Sequence, residues 1–248
     1  MRADAVRDWL PYCGAAPSPE QWLGRWNTDF VLWAALAASA AALWRNADGP
    51  RGRKLTVGWA VLTAVLFVSP FCALSSALFS ARVAHHVLLA AVLAPLLVWA
   101  LPASRTRWPG GLAVWTALQA LTFWVWHAPP AYAAALSSDA MYWAMQLTIF
   151  ATSAGFWAAI RRAEAVPAVA ALLASTVQMG LLGALITFAG VPMYAPHLLT
   201  ALAWGMSPLE DQQLAGLVMW VPSAALYLAA AIWTAHRYLA RAESGATA

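Results

Sequence analysis

Residues 167–189 read PAVAALLASTVQMGLLGALITFA, an apolar run without one charged side chain. The run is far longer than the roughly 9–11 residues of a membrane barrel strand and shows no strand alternation, so it reads as a helix that satisfies its own backbone groups in lipid. Six further blocks have the same character: Phe30–Trp44, Leu55–Phe79, Val83–Leu101, Gly111–His127, Ala140–Ile160 and Leu214–His236. Composition agrees, since 62% of the residues are hydrophobic and 10% are charged, against about 25% charged in a soluble domain. The expected fold is all-α, a polytopic transmembrane helical bundle of about seven spans. Phe30–Trp44 is short for a span, with Trp26 and Trp44 placed to anchor it at the two interfaces.

Charge orients the segments. Arg45, Arg51, Arg53 and Lys54, then Arg105 and Arg107, then Arg161 and Arg162, then Arg237 and Arg241 fall on alternate connections, so ten basic residues share one side. Short cytoplasmic loops carry such an excess. The other side has Arg82 in its loops, with Arg2, Arg7 and Arg25 balanced by acids in an N-terminal arm. The chain is therefore expected to have an outer arm (residues 1–29), a seven-helix membrane domain (30–239) and a cytoplasmic tail (240–248). Arginines scattered over short loops, with no basic stripe and no base-stacking module, exclude nucleic acid and leave the lipid bilayer as the partner. The opening MRADAVRDWLPYCG has acids and a proline where a signal peptide needs an apolar region. The two cysteines, Cys13 and Cys72, are too few for a disulfide framework and lack CxxC spacing.

Metal-binding side chains gather on the outer side of this topology. His85 and His86 open the third block, His127 closes the fourth, and His197 lies in the last outer connection; His236, at the inner end, is the exception. Met141 and Met145 share a helix face near the same side, joined by Met193, Met206 and Met219, and by Cys13 and Cys72. Imidazole, thioether and thiolate form the donor set that suits copper. Beside that reading stand plainer ones: histidines bonding at helix ends, Met141 and Met145 filling gaps in the core, and Cys13 as a free thiol on a tail.

Residues 194–222, YAPHLLTALAWGMSPLEDQQLAGLVMWVP, mix polar and apolar chemistry before the last helix. Asp211 is expected to cap that helix at its positive end, and a carboxylate there could also orient a histidine. Pro95 and Pro222 are expected to kink their helices, Gly180, Gly183 and Ala184 to permit close helix approach, and Gln178 to bond between helices. No nucleophile elbow, phosphate-cradling loop or pair of intramembrane carboxylates is present, so no enzyme activity is expected.

The block WGMSPLEDQQLAGLVMWVP, preceded by Tyr194, resembles the signature of the cytochrome c oxidase assembly factor family associated with caa3-type oxidases (CtaG-like). FSARVAHHVLLAAVLAPLL is similar to that family's histidine-bearing helix, and WHAPPAYAAAL to another of its elements. The resemblance implies a multi-pass protein of the bacterial inner membrane that helps to make an active haem-copper oxidase, through copper delivery or insertion at the outer face, with an oxidase subunit as partner. It selects His86, rather than His85, to face the bundle. His127, Tyr132, Asp211, Gln212, Gln213, Gly216, Met219 and Trp220 match by motif position, while Arg82, Tyr142 and Gln146 stand where the family commonly has histidines. The expected copper ligands are His86, His127, His197, Cys13 and Met219, supported by His85, Tyr132, Tyr194, Asp211, Gln212, Gln213 and Trp220. A metal-free chaperone for an oxidase subunit or haem intermediate is the alternative, and a copper permease a third reading.

Overall fold

The computed structural model describes residue 9 and residues 11–246, so Arg2 and Arg7 of the arm and residues 247–248 of the tail lie outside the described residues. All regular structure among the described residues is helical: α1 (Phe30–Arg45), α2 (Gly49–Phe67), α3 (Pro70–Ala77), α4 (Phe79–Leu88), a π-helical stretch (Leu89–Leu93), α5 (Ala94–Ala100), α6 (Leu112–His127), α7 (Pro129–Ala135), α8 (Asp139–Arg162), α9 (Ala165–Phe188) and α10 (Pro208–Ala246), with short 3-10 turns between them.

Three of these elements are long and apolar enough to cross a membrane, Phe79–Ala100, Ala165–Phe188 and Pro208–Ser244, and a fourth is counted if α2 and α3 form one bent span. This is fewer than the expected seven. Length accounts for two of the missing spans: α1 and α6 have 16 residues each, which at 1.5 Å per residue falls short of a hydrocarbon core of about 30 Å; α8, with 24 residues, is long enough but not apolar enough. One apolar face of α9 is nevertheless left outward, where Leu173, Val177, Leu181 and Leu185 are exposed at four-residue intervals while Leu172, Ser175, Met179, Leu182 and Ile186 are buried.

Two expected spans are interrupted. The second breaks at Val68–Ser69, where Ser69 caps α3 by accepting from Phe71 N and Pro70 occupies the first turn; α2 and α3 meet at 45°. A serine–proline pair ends one helix and starts another because proline cannot continue the ladder and serine caps well. The third begins at Phe79 rather than Val83 and passes through the π-helical stretch just before Pro95, where the indole of Trp157 donates to the Ala90 carbonyl (2.8 Å). At Pro222, inside α10, the hydroxyl of Ser223 donates to the Met219 carbonyl.

The antiparallel α9 and α10 form the tightest pair, and Gly183 faces Gly216 across it. A Cβ on Gly216 would lie 2.5 Å from the Gly183 carbonyl, and one on Gly183 would lie 2.7 Å from the Gly216 carbonyl. This fulfils the expectation for Gly183. Gln178, expected to bond between helices, has no partner for its amide; that role falls to Gln119 of α6, whose Nε2 donates to Tyr227 of α10 (2.8 Å) and whose Oε1 accepts from Ser175 of α9 (3.3 Å). The arm folds back over one end of the bundle: Trp204 donates to the Pro17 carbonyl, Asn27 N to the Val68 carbonyl, and Tyr12 to Asp29, which caps α1.

Gly216→Ala is expected to lower stability by about 1–3 kcal/mol, because backbone lies where the methyl must go. Thermal unfolding in detergent reads it against Gly24→Ala, a position with nothing within 4 Å of an added Cβ; equal melting of the two variants would contradict the close α9–α10 approach.

Candidate functional site

The site is assembled where α4 begins. Leu78 is extended and ends the preceding helix, so the first amides of α4 have no intrahelical acceptor. Asp211, fully buried, fills that gap: its carboxylate accepts from Phe79 N (2.7 Å), Ser80 N (3.0 Å) and Ser80 Oγ (2.5 Å). The expectation that Asp211 caps its own helix is corrected here. The start of α10 is closed instead by a reciprocal pair, Ser207 N donating to Glu210 Oε2 (2.7 Å) and Glu210 N to Ser207 Oγ (3.2 Å), which frees Asp211 to cap a different helix.

Its neighbours in the sequence clamp the connection between α9 and α10. Gln212 accepts from Met193 N (2.7 Å) and donates to the carbonyls of Ile186 (3.4 Å) and Val191 (3.2 Å). The carbonyl of Gln213, half-buried, accepts from Thr187 Oγ1 (3.4 Å). Held in this way, Tyr194 stacks on Phe79 with ring centroids 3.7 Å apart and donates to the His127 carbonyl (2.8 Å). Met219 is buried, whereas Trp220 is partly exposed and packs edge-on to Phe188.

Four of the five histidines lie at this end, all buried. His127 Nδ1 is 2.8 Å from the Phe123 carbonyl and must therefore carry the proton, leaving a lone pair on Nε2. His86 Nδ1 lies 3.2 Å from that Nε2 and donates to it, while His86 Nε2 has no partner. His85 faces a different way, against Phe67 and Phe71, with neither ring nitrogen bonded. His197 donates from Nδ1 to the Ala77 carbonyl (3.2 Å) and accepts at Nε2 from Tyr132 (2.7 Å), so both of its ring nitrogens are used. Burial pushes the His197 imidazole down to about 3 from its ordinary 6.5, with the Arg82 charge adding to the effect. The Tyr132 and Tyr194 hydroxyls are raised, again by burial.

Cys13 departs from its expected role. It is joined to Cys72 in a disulfide and is not a free thiol, so in this state it offers no thiolate to a metal; instead the bridge ties the arm to α3, and Cys13 Sγ lies 3.5 Å from the Tyr142 hydroxyl. Among the described residues no group of three or more His, Cys, Asp and Glu side chains could hold a metal ion. What the structure brings together is the pair His86 and His127. Their facing nitrogens are 3.2 Å apart, a hydrogen-bond distance; an ion bridging the two with bonds of about 2.0 Å would require the rings to move apart, to about 4 Å for a linear pair. The hydrogen bond from His127 Nδ1 to the Phe123 carbonyl fixes the orientation of this imidazole.

Arg82 was assigned to a loop by sequence, yet it is fully buried one turn before His85 and His86. Its Nε donates to the Ser75 carbonyl (3.2 Å) and its guanidinium lies 5.1 Å from the Tyr142 ring centroid, but Nη1 and Nη2 have no hydrogen-bond partner and Asp211 is committed elsewhere. Gln146, on α8 with Tyr142, is likewise buried with its amide unpaired. The available signal was an arginine next to an apolar run, since charged residues within a span are costly and mark function.

Two outcomes are expected. Asp211→Asn removes one of two acceptor oxygens and should destabilise the protein by about 1–3 kcal/mol; an unchanged melting temperature would remove the cap from this account. The stability that His197 contributes as a neutral group should be complete above its unfolded value near 6.5 and decline as pH falls toward its folded value of about 3, because the unfolded chain binds the extra proton in that window. His197→Gln should flatten the acid limb of the melting profile by up to about 1.4 kcal/mol per pH unit; parallel profiles would contradict the assignment.

The model of the cytochrome c oxidase caa3 assembly factor family matches residues 32–241. No curated protein and no solved structure matches the chain. The matched span contains α2 to α9 and most of α1 and α10, including Asp211, the clamp on the α9–α10 connection and both members of the histidine pair. The chain belongs to the cytochrome c oxidase caa3 assembly factor family.

Proposed function

We propose that the protein assists assembly of a haem-copper oxidase by receiving copper as Cu(I) between His86 and His127 and passing it to an oxidase subunit. The observation that carries this reading is the 3.2 Å approach of two imidazole nitrogens, one of them held by the Phe123 carbonyl. Without metal, the pair is closed by a proton on His86 Nδ1. Moving that proton to the unpartnered Nε2 of the same ring opens two lone pairs toward one point, with no net proton released. The transfer is a ligand exchange, and copper keeps its oxidation state throughout. Arg82, the buried cation one turn away, favours a monovalent over a divalent ion, because repulsion grows with the charge of the guest.

His197, with both ring nitrogens in protein hydrogen bonds, and Cys13, in its disulfide, are assigned to shaping the site rather than to ligation. The protein is taken to lie in a bacterial inner membrane with this end outward and the basic end in the cytoplasm. The Cys13–Cys72 bridge supports that orientation, since disulfides persist in oxidising compartments. A metal-free chaperone is the second reading. Arg82, with no carboxylate bonded to it among the described residues, favours it, because a buried positive charge beside the histidines opposes any metal cation.

Anaerobic Cu(I) titration against a chromogenic competitor separates the two readings. One Cu(I) per chain is expected, with affinity lowered at least about tenfold in His127→Ala and Arg82→Gln binding copper more tightly. Identical affinity in wild type and His127→Ala, or no copper in either, would refute ligation by the pair.

A further inference from the structure

At the end of the bundle opposite His86 and His127, the helices leave a groove of about 1030 Å³. Its rim carries Arg51 from the start of α2, Arg161 from the end of α8, and Arg237 and Arg241 from the last part of α10, and among the described residues no carboxylate lines it. Its walls are apolar, with Leu55, Leu96 and Leu226 among them, and Trp99 and Trp233 stand at the sides.

The rim is built rather than incidental. Arg161 is fixed in place, Nη1 donating to the carbonyls of Val98 (2.6 Å) and Leu101 (2.8 Å) at the end of α5. Other basic residues of the same face are already engaged: Arg53 lies over the Trp44 ring, Arg105 donates to Asn46, and Arg162 to the Thr106 carbonyl. Arg51, Arg237 and Arg241 make no such contact among the described residues, and all three are exposed around the groove. Four arginines lining one groove with apolar walls match a ligand with an anionic head and hydrocarbon tails. A soluble phosphate would leave the walls unused. Tyr238 is the one lining side chain of a type that binds haem iron, so haem is carried as an outcome of the test below.

We propose that this groove binds an anionic phospholipid of the surrounding leaflet, its phosphodiester held by Arg51, Arg161, Arg237 and Arg241 and its acyl chains lying along the apolar walls. With four cations at the rim, a headgroup bearing two phosphodiesters fits better than one. A lipid seated there would join α2, α5, α8 and α10 at the end away from the Asp211 cap. The proposal does not depend on copper.

The test uses the full chain, purified, delipidated and titrated in zwitterionic nanodiscs with cardiolipin, phosphatidylglycerol or phosphatidylcholine, and read by native mass spectrometry. Wild type should retain cardiolipin at least about tenfold better than phosphatidylcholine, with phosphatidylglycerol between them. Arg51→Gln/Arg237→Gln should lose that preference, while Arg45→Gln/Arg53→Gln, which removes the same charge outside the groove, should keep it. Leu226→Trp, which fills a wall without changing charge, should also weaken retention. Melting curves confirm that each variant is folded, and Arg51→Lys/Arg237→Lys restores part of the preference if the double glutamine variant does not fold. Equal losses in the two glutamine pairs would reduce the effect to surface charge and overturn the proposal. So would the absence of lipid preference, displacement by millimolar inorganic phosphate, or haem binding with the same arginine dependence.

Discussion

A carboxylate buried inside a helical bundle has to find donors, and Asp211 finds three of them at the start of α4. The match is physical on both sides, since the exposed amides of a helix N-terminus and its positive dipole end are what an isolated acid needs. This single interaction fixes the first turn of α10 against the helix that bears His85 and His86. Gln212 then fixes the connection from α9, Tyr194 is delivered to Phe79 and to the His127 carbonyl, and the histidine pair is framed from both helices. The close contact of Gly183 with Gly216 sets the distance at which α10 can do this.

Much of this architecture was legible in the chain, for reasons that differ by element. The bounds of α1, α6, α8 and α9 follow the apolar blocks within a few residues, because burial in lipid or in the bundle leaves little else for such segments to do. Gly183 was legible as a close contact because it belongs to a small-residue cluster. The breaks were harder. Ser69–Pro70 lies inside a continuous apolar run whose hydropathy hides it, and the start of α4 at Phe79 depends on a partner more than a hundred residues away. The same distance explains the error at Asp211: its local position suits a self-cap, and only the fold reveals that Ser207 and Glu210 already supply one. The Cys13–Cys72 bridge was hidden because two cysteines 59 residues apart carry no pairing signal.

The structure sets the expected site residues in different surroundings. His86 and His127 meet, but His197 is absorbed by Tyr132 and Ala77, and Met219 packs in the core of α10. Arg82 was misplaced because a charge at the edge of an apolar block is cheaper outside it than within, and the block was ended accordingly. Its burial gives the site a fixed positive charge among uncharged imidazoles. The two ends of the bundle therefore differ in kind: one holds a single buried cation beside a hydrogen-bonded histidine pair, the other four arginines, three of them exposed, along an apolar groove.

The central claim is that two imidazoles, and no sulfur, receive the metal. X-ray absorption at the copper edge of Cu(I)-loaded, unreduced protein tests it most directly. The account expects nitrogen scatterers at about 2.0 Å with the multiple-scattering pattern of two imidazoles, and the loss of that pattern in His86→Ala. A dominant sulfur shell at about 2.3 Å would place the copper on Met or Cys and contradict the account.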